Sequence, residues 1–481
     1  MVKNTETLAK PLVKQSTLLW VVFIVYSLLI LYGVVHHESW RDEAQSYLAV
    51  RDNTFASLFN FLPSEGHPPL WYLVIMPFVK AGLPYATQNY IAAALAVAGI
   101  YLLMFRSTAS LPLKLLIPFN YYFLYEFSVF ARSYSLILFL VCAIICLYPK
   151  RFEKPFLFAL CVAGLFNTHM LMFAFAAGIT GLYLWDALQY KKANSNVLGA
   201  FTLMCVSGLY LIPFLVMKGS ANIFDNQIVD HTKEMLVTVS FGLLLNENTD
   251  WAVLLLIGLL IPLCTRTKPL LLVAAGLAGI FYILGYKFIG GVRHCGLLLT
   301  VVFAVYAIAD NYADDKWNIK TKWPQLITYG NWLLAAIVLL QLSYTSAHYM
   351  DDIDRDYSDA KNAAEAIKHS NLSNTVIAAY PAAYTCAIIP YLDKDRKFYS
   401  LESQQFKSYY VNDSFYVKTL PDSVIVKRVL DKFGNSDKDL ILICNYPLKA
   451  DLVKNFDMLY YSTDQTIFIQ EMFCVYKLKK Q

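Results

Sequence analysis

Charge is what this sequence has little of. Of its 481 residues 16% are Asp, Glu, Lys or Arg, while 57% are hydrophobic; soluble domains carry about 25% charged residues. The shortage is deep before Tyr344 and gone after it. That excludes a single water-soluble globule and predicts a polytopic membrane portion followed by a soluble C-terminal domain. A net charge of +5 is too small for nucleic-acid binding, and the basic residues stand in short clusters between apolar runs. The C-terminal part has no glycine-rich phosphate loop, so nucleotide binding there lacks its usual cradle. Metal-type cysteine spacing is missing as well. Cys142, Cys146, Cys161, Cys205 and Cys264 lie inside apolar runs and Cys295 begins another, where they pack as small hydrophobes. Cys386, Cys444 and Cys474 in the tail permit one disulfide and require none. No small-x-small cleavage site separates the run Leu18 to Val35 from His36-His37-Glu38. Lys3, Lys10 and Lys14 followed by that run therefore read as an uncleaved signal anchor.

What is present is a series of apolar runs. After the first come runs at 70–83, 90–105, 111–127, 133–148, 156–175, 176–188, 197–217, 251–264, 269–289, 295–309 and 325–346. Judged against the roughly 20 residues a span needs, they predict about 11–13 transmembrane helices. The basic clusters Lys150-Arg151 with Lys154, Lys191-Lys192, Arg266 with Lys268, and Lys316 with Lys320 and Lys322 fall between runs. By the positive-inside rule these loops and the N-terminus are cytoplasmic. The loops 36–69 and 218–250 and the tail then face the other side, the periplasm in a bacterium. The expected division is a membrane domain over 1–348 and a periplasmic domain over 349–481. Helical spacing of Ala44, Tyr47, Leu48, Leu58 and Phe61 predicts a helix lying in the membrane interface, and Lys233 to Leu245 a second. In the tail, short β-like runs at Asn374 to Tyr380, Lys397 to Ser400, Leu440 to Cys444 and Met458 to Ser462 alternate with expected helices. Those helices are Asp356 to Ser370, Pro381 to Leu392, Val424 to Phe433 and Leu448 to Phe456, with a hairpin over Gln465 to Leu478. The alternation predicts a small α/β layer domain.

The candidate chemistry gathers at the ends of runs. Asp42-Glu43 follows the first span, flanked by Trp40 and Tyr47, which can seat it at the headgroup level. His67-Pro68-Pro69 then fixes the chain's return. A carboxylate held there can act as general base toward a hydroxyl, against the plain alternative of a solvated interface acid. Arg132, in Phe130-Ala131-Arg132-Ser133-Tyr134, lies in an apolar stretch and reads as a phosphate donor or as a structural partner of Glu126. Arg293-His294 follows Gly290-Gly291 on the side that should be poor in arginine, and offers a second phosphate fork. His169 has three open readings: a metal ligand with His67, a phosphate donor, or a satisfied core histidine.

In this order, an acidic pair after the first span, a Pro-Pro return, an Arg-x-Tyr motif and a late Arg-His resemble the GT-C glycosyltransferases. Closest is the branch holding protein O-mannosyltransferases and the bacterial aminoarabinose transferase of lipid A. The likeness covers roughly residues 15–350 and is strongest over 38–72. It implies a GT-C fold with a non-cytoplasmic C-terminal domain, and Asp42 as the catalytic acid with Glu43 and His67 in support. It also implies a polyprenyl-phosphate sugar donor held by Arg132, Tyr134, Arg293 and His294, a hydroxyl acceptor of the cell envelope, and an inner-membrane location among lipids. Where that branch has Glu-Lys-Pro-Pro, this chain has Gly66-His67-Pro68-Pro69, which leaves the acceptor and a divalent metal at His67 and His169 open. Two other classes compete. A transporter would flip a lipid-linked sugar using its carboxylates as ion sites, and a lipid-glycan receptor would leave Asp42 dispensable.

Overall fold

The computed structural model describes residues 15–212, 231–287, 290–312, 325–370, 375–411, 419–463 and 465–479. Lys3, Lys10, Lys14, Lys316, Lys320, Lys322 and the first part of the loop 218–250 lie outside them. Among the described residues seven helices are long and apolar enough to cross a membrane: Gln15–His36, Thr87–Arg106, Ser133–Lys150, Met170–Gln189, Thr267–Tyr286, Val292–Ala309 and Leu326–Asp354. An eighth span arises if His231–Leu244 and Thr249–Leu263, bent by 72° at their junction, cross together. The sequence runs that predicted more are made up by shorter apolar helices such as Leu70–Lys80, Pro155–Phe166 and Ser195–Tyr210, whose 1.5 Å rise per residue leaves them short of the hydrocarbon thickness unaided. Gln15–His36 shows why water is the wrong solvent for this bundle. Its Val21, Ile24, Leu28, Leu31 and Val35 are all exposed, a continuous apolar face.

We call Gln15–His36 α1, Arg41–Asp52 α2, Phe55–Glu65 α3, Leu70–Lys80 α4 and Thr87–Arg106 α5. The expected single interfacial helix after α1 is thus two helices, broken at Asn53-Thr54, where Thr54 caps α3 by accepting from Ser57 N. The Lys233 to Leu245 segment is the helix His231–Leu244, which packs against Val292–Ala309 and Thr249–Leu263. It lies inside the bundle, with Val239 and Leu243 buried.

The C-terminal sheet has six strands in the order β3-β2-β1-β4-β6-β5. They are β1 Val376–Tyr380, β2 Phe398–Ser400, β3 Gln405–Lys407, β4 Leu440–Cys444, β5 Phe456–Tyr461 and β6 Cys474–Leu478. β1 pairs parallel with β2 and β4, and the outer pairings are antiparallel. Side chains alternate across it. Ala378, Tyr380 and Leu442 pack with Ile425 and Val429 of the helix Asp422–Phe433 on one face. Ile377, Ala379 and Ile443 pack with Ala363 and Ile367 on the other. That second core also contains Ala44 and Leu48 of α2. Helix α2 therefore packs under the C-terminal domain, where the short helices Ala382–Thr385 and Ile389–Tyr391 cover its apolar stripe. The expected helix Leu448 to Phe456 is a set of turns ahead of β5, and the expected terminal hairpin is the single strand β6 preceded by the tight turn Ile469–Glu471. All nine cysteines are free.

Candidate functional site

Three of the long helices carry a candidate residue at the start and a charge at the far end. Arg132 precedes Ser133–Leu147, His169 precedes Met170–Gln189, and Arg293 opens Val292–Ala309. At the opposite ends, Asp186 accepts from Arg151 Nη2 at 2.7 Å, Lys268 Nζ at 2.5 Å and the Tyr312 hydroxyl at 2.7 Å. This buried lock ties the basic clusters around Arg151 and Lys268 together at one end of the bundle, and the candidate site occupies the other.

The site is built on α2. Its N-terminus is closed by Glu43, whose carboxylate is fully buried and accepts four hydrogen bonds. They come from Trp40 N (3.1 Å), His37 Nε2 (3.1 Å), Asn89 Nδ2 (2.7 Å) and Ala131 N (2.7 Å). One carboxylate thus ties the end of α1, the start of α2, α5 and the turn before Ser133–Leu147. Burial would raise its pKa, but His37 and these donors hold it below the usual range. His37, bonded also to Asp352 at 2.8 Å, has its pKa raised to about 10, because Asp352 and Glu43 outweigh the burial that would lower it. A pKa raised above the unfolded value contributes stability that is complete below about pH 6.5 and lost as pH rises through about 10. The melting temperature of the purified protein should therefore fall between pH 7 and pH 10, and His37→Gln should flatten that fall; an unchanged slope in the variant would contradict the pairing.

With Glu43 consumed, Asp42 is the acid of the pair that faces the cavity. Its side chain is 25% exposed and lines a pocket of about 510 Å³ with Arg41, Glu65, His67, Glu126, Arg132 and Arg293 among others. Arg41 Nε and Arg293 Nη1 each stand 3.7 Å from its oxygens: near enough for the field, too far for hydrogen bonds. Burial would raise the Asp42 pKa, yet Arg132, Arg41 and Arg293 together hold it below the ordinary carboxylate value, and the N-terminus of α2 adds in the same direction. Asp42 is an ionised carboxylate on which, among the described residues, no hydrogen bond is donated.

Arg132 donates from Nη1 to the Asp42 carbonyl at 2.6 Å and to Ser46 Oγ at 3.0 Å, and from Nη2 to His67 Nε2 at 3.1 Å. His67 in turn donates from Nδ1 to the Glu65 carbonyl at 2.8 Å, a turn set by Gly66 at φ +68°, a conformation that favours glycine. These two bonds fix His67 as a neutral ring protonated on Nδ1, and burial with Arg132 lowers its pKa to about 4. His67 orients Arg132. The partner of Glu126 is Arg293 (Nε to Oε2, 3.6 Å), not Arg132, and the Tyr121 hydroxyl donates to its other oxygen at 2.9 Å. That pairing depends on close approach: a Cβ at Gly296 would sit 2.2 Å from the Tyr122 ring, so only glycine lets the helix bearing Arg293 reach the wide π-helical turn Tyr122–Glu126.

His294 Nδ1 accepts from Gly291 N at 3.0 Å, and the ring lines the pocket. Tyr134 stacks on Phe127 at 4.9 Å and its hydroxyl meets His169 Nε2 at 3.4 Å. His169 Nδ1 accepts from Leu171 N at 3.2 Å, so each of its nitrogens has a protein partner: the satisfied-core reading. The His67 and His169 rings are 5.8 Å apart. With Arg132 on His67 Nε2, a cation there meets like charge, and the pair does not fit a metal. Among the described residues no group of three or more His, Cys, Asp or Glu side chains is placed to hold one.

Several lining residues had no role at the site in the sequence reading, or a different one. Glu65 lines the pocket, bound by Gln45 Nε2 at 3.1 Å, and burial lifts its pKa to about 7. Arg41 is held at its backbone N by Glu471 at 3.0 Å. Trp40 is 5% exposed, lies 4.5 Å under the Arg293 guanidinium and touches Phe468 of the C-terminal domain. Tyr357, Tyr410 and Phe468 come from that domain. No protein-family model and no curated protein sequence matches this chain.

Proposed function

We propose that this chain is an integral-membrane inverting glycosyltransferase of GT-C type, moving a sugar from a polyprenyl-phosphate donor to a hydroxyl acceptor. The observation that carries the reading is the ionised, hydrogen-bond-free carboxylate of Asp42 facing a pocket with three guanidiniums around it. A general base needs a lone pair within reach of the proton it takes, and a leaving phosphate needs fixed positive charge. Both stand in one cavity at one end of an apolar bundle, where the lipid tail of such a donor stays in the membrane. In this reading the acceptor hydroxyl gives its proton to Asp42 while its oxygen attacks the anomeric carbon. The bond between the anomeric carbon and the phosphate oxygen breaks with its electron pair going to that oxygen, and the departing lipid phosphate is held by the charges of Arg132 and Arg293. His294 lines the same pocket beside Arg293. In this reading the basic lock at the far end lies on the cytoplasmic side, as the positive-inside rule favours, and the site and the C-terminal domain face the periplasm of an inner membrane, with the N-terminus in the cytoplasm.

Binding of farnesyl phosphate tests the donor half of this reading. Arg132→Gln and Arg293→Gln should each weaken it by roughly 10- to 100-fold, the worth of a charge-assisted hydrogen bond, while neutral farnesol binds alike in all three proteins. Equal phosphate binding in both variants would remove the donor role from these arginines.

A further inference from the structure

The arginines form one wall of the pocket and the C-terminal domain forms the other. Tyr357, Tyr410 and Phe468 line it there, with Trp40 at the seam. Trp40 meets Phe468 edge-on at 4.7 Å, and Tyr357 lies parallel to Phe468. The Arg41 guanidinium is 4.6 Å over Tyr384 and 5.4 Å over Phe468. Tyr410 is pinned by α2: Gln45 Nε2 donates to its carbonyl at 2.7 Å, and Gln45 Oε1 accepts from its N–H at 3.2 Å. One side chain of the membrane portion thus takes both backbone groups of a residue that follows it by 365 positions. Among the described residues three buried donors around the pocket have no acceptor: Trp40 Nε1 and Arg41 Nε at this wall, and Arg293 Nη1 facing it. Buried donors left unpaired are costly, and these point to a ligand rich in acceptors.

Ring faces beside planar donors suit a sugar. The C–H face of a pyranose lies on an aromatic ring, and its hydroxyl oxygens accept from guanidinium and indole N–H groups. Charge narrows the class. Arg41, Arg132 and Arg293 stand formally against Asp42 and Glu126 in the pocket, leaving at most one positive charge, which one phosphodiester neutralises. Nothing is left over for an anionic acceptor, and Glu65 on the same lining weighs further against one. A peptide in extended form is held along a strand edge or a groove, whereas this wall sets aromatic rings and guanidiniums around a partly open pocket of small-ligand size.

We infer that the wall formed by Trp40, Arg41, Tyr410 and Phe468 is the acceptor subsite and that its occupant is an uncharged sugar ring of a glycan. This rests on the transferase reading, in which a hydroxyl of that ring gives its proton to Asp42 and its oxygen to the new glycosidic bond. Gln45 is a positioning residue, acting through Tyr410.

Saturation-transfer NMR on the full-length protein in nanodiscs tests it, with maltotriose, chitotriose and mannotriose as neutral probes, trigalacturonate as the anionic one, and a Ser/Thr peptide. The expected result is transfer to the ring protons of a neutral trisaccharide, weakened roughly tenfold by Tyr410→Ala and by Phe468→Leu, which keeps bulk and loses the ring face. Farnesyl phosphate binding should persist in both variants, showing them folded with an intact donor wall. Transfer to trigalacturonate or the peptide alone, no transfer to any neutral trisaccharide, or a neutral signal that survives both variants would overturn the subsite. Failure of farnesyl phosphate to bind the wild type would instead strike the donor reading and leave the sugar result standing.

Discussion

Asp42→Asn should lower the rate of sugar transfer by roughly 10²- to 10⁴-fold, the range that a positioned general base contributes. The amide keeps the shape of the side chain but cannot take the acceptor's proton. Its other consequences run opposite to those of a structural lesion. No hydrogen bond ends on the carboxylate and a quarter of it is exposed, so the drop in melting temperature should be small, limited to the lost field of the arginines. Removing one negative charge among Arg41, Arg132 and Arg293 should leave phosphate binding intact or tighten it. Transfer lost with farnesyl phosphate binding retained is the expected signature, read as turnover against affinity. An Asp42→Asn protein that transfers at the wild-type rate would end the assignment of Asp42 as base.

Glu43→Ala should act on the fold. It removes a fully buried carboxylate with four donors on it and leaves the His37 imidazolium with Asp352 alone. Breaking a buried charge pair from one side costs about 3–5 kcal/mol. Glu43→Gln should be nearly as harmful. His37 Nε2–H, Trp40 N–H, Asn89 Nδ2–H and Ala131 N–H are all donors, so an amide NH2 must face at least one of them. Thermal unfolding in detergent reads this directly: both variants should melt well below the wild type. A Glu43→Gln protein of wild-type stability would mean that the neighbouring acids had been given the wrong roles. Adjacent in sequence, Asp42 and Glu43 thus divide the work by helix geometry. The third residue of α2 folds back onto the helix start, and the second points into the cavity.

The pocket residues that stood out in the sequence did so for one physical reason. A charge beside an apolar run is expensive, and Asp42, Arg132 and Arg293 each sit at the start of a helix that follows or continues such a run. His67 stood out through the Pro-Pro return. The rest had no such contrast. Glu65 and Arg41 are charges in a loop that is polar anyway, and His37 looked like part of a flank. That Glu126 serves Arg293 rather than its near neighbour Arg132 depends on the glycine approach at Gly296, which no local pattern reveals. Tyr410 and Phe468 reach the site only through tertiary packing of a domain hundreds of residues away. The amphipathic period of α2 was legible, but periodicity does not say what covers an apolar stripe, and here the short helices Ala382–Thr385 and Ile389–Tyr391 of the C-terminal domain pack on it. The tail's strands were legible from β-branched and aromatic runs at β1, β2, β4 and β5. Its last segment was not, because the tight turn Ile469–Glu471 takes up the residues that a hairpin needs and delivers Glu471 to α2.

Transfer chemistry itself is the central claim, and one measurement addresses it most directly. Wild-type protein is reconstituted in sealed vesicles with a mixture of polyprenyl phosphates carrying radiolabelled sugars, and a cell-envelope extract is added outside. The account predicts that label leaves the lipid and appears covalently on a water- or lipid-borne acceptor glycan. Label that remains on the lipid but exchanges between leaflets would contradict it and make the protein a carrier of lipid-linked sugar.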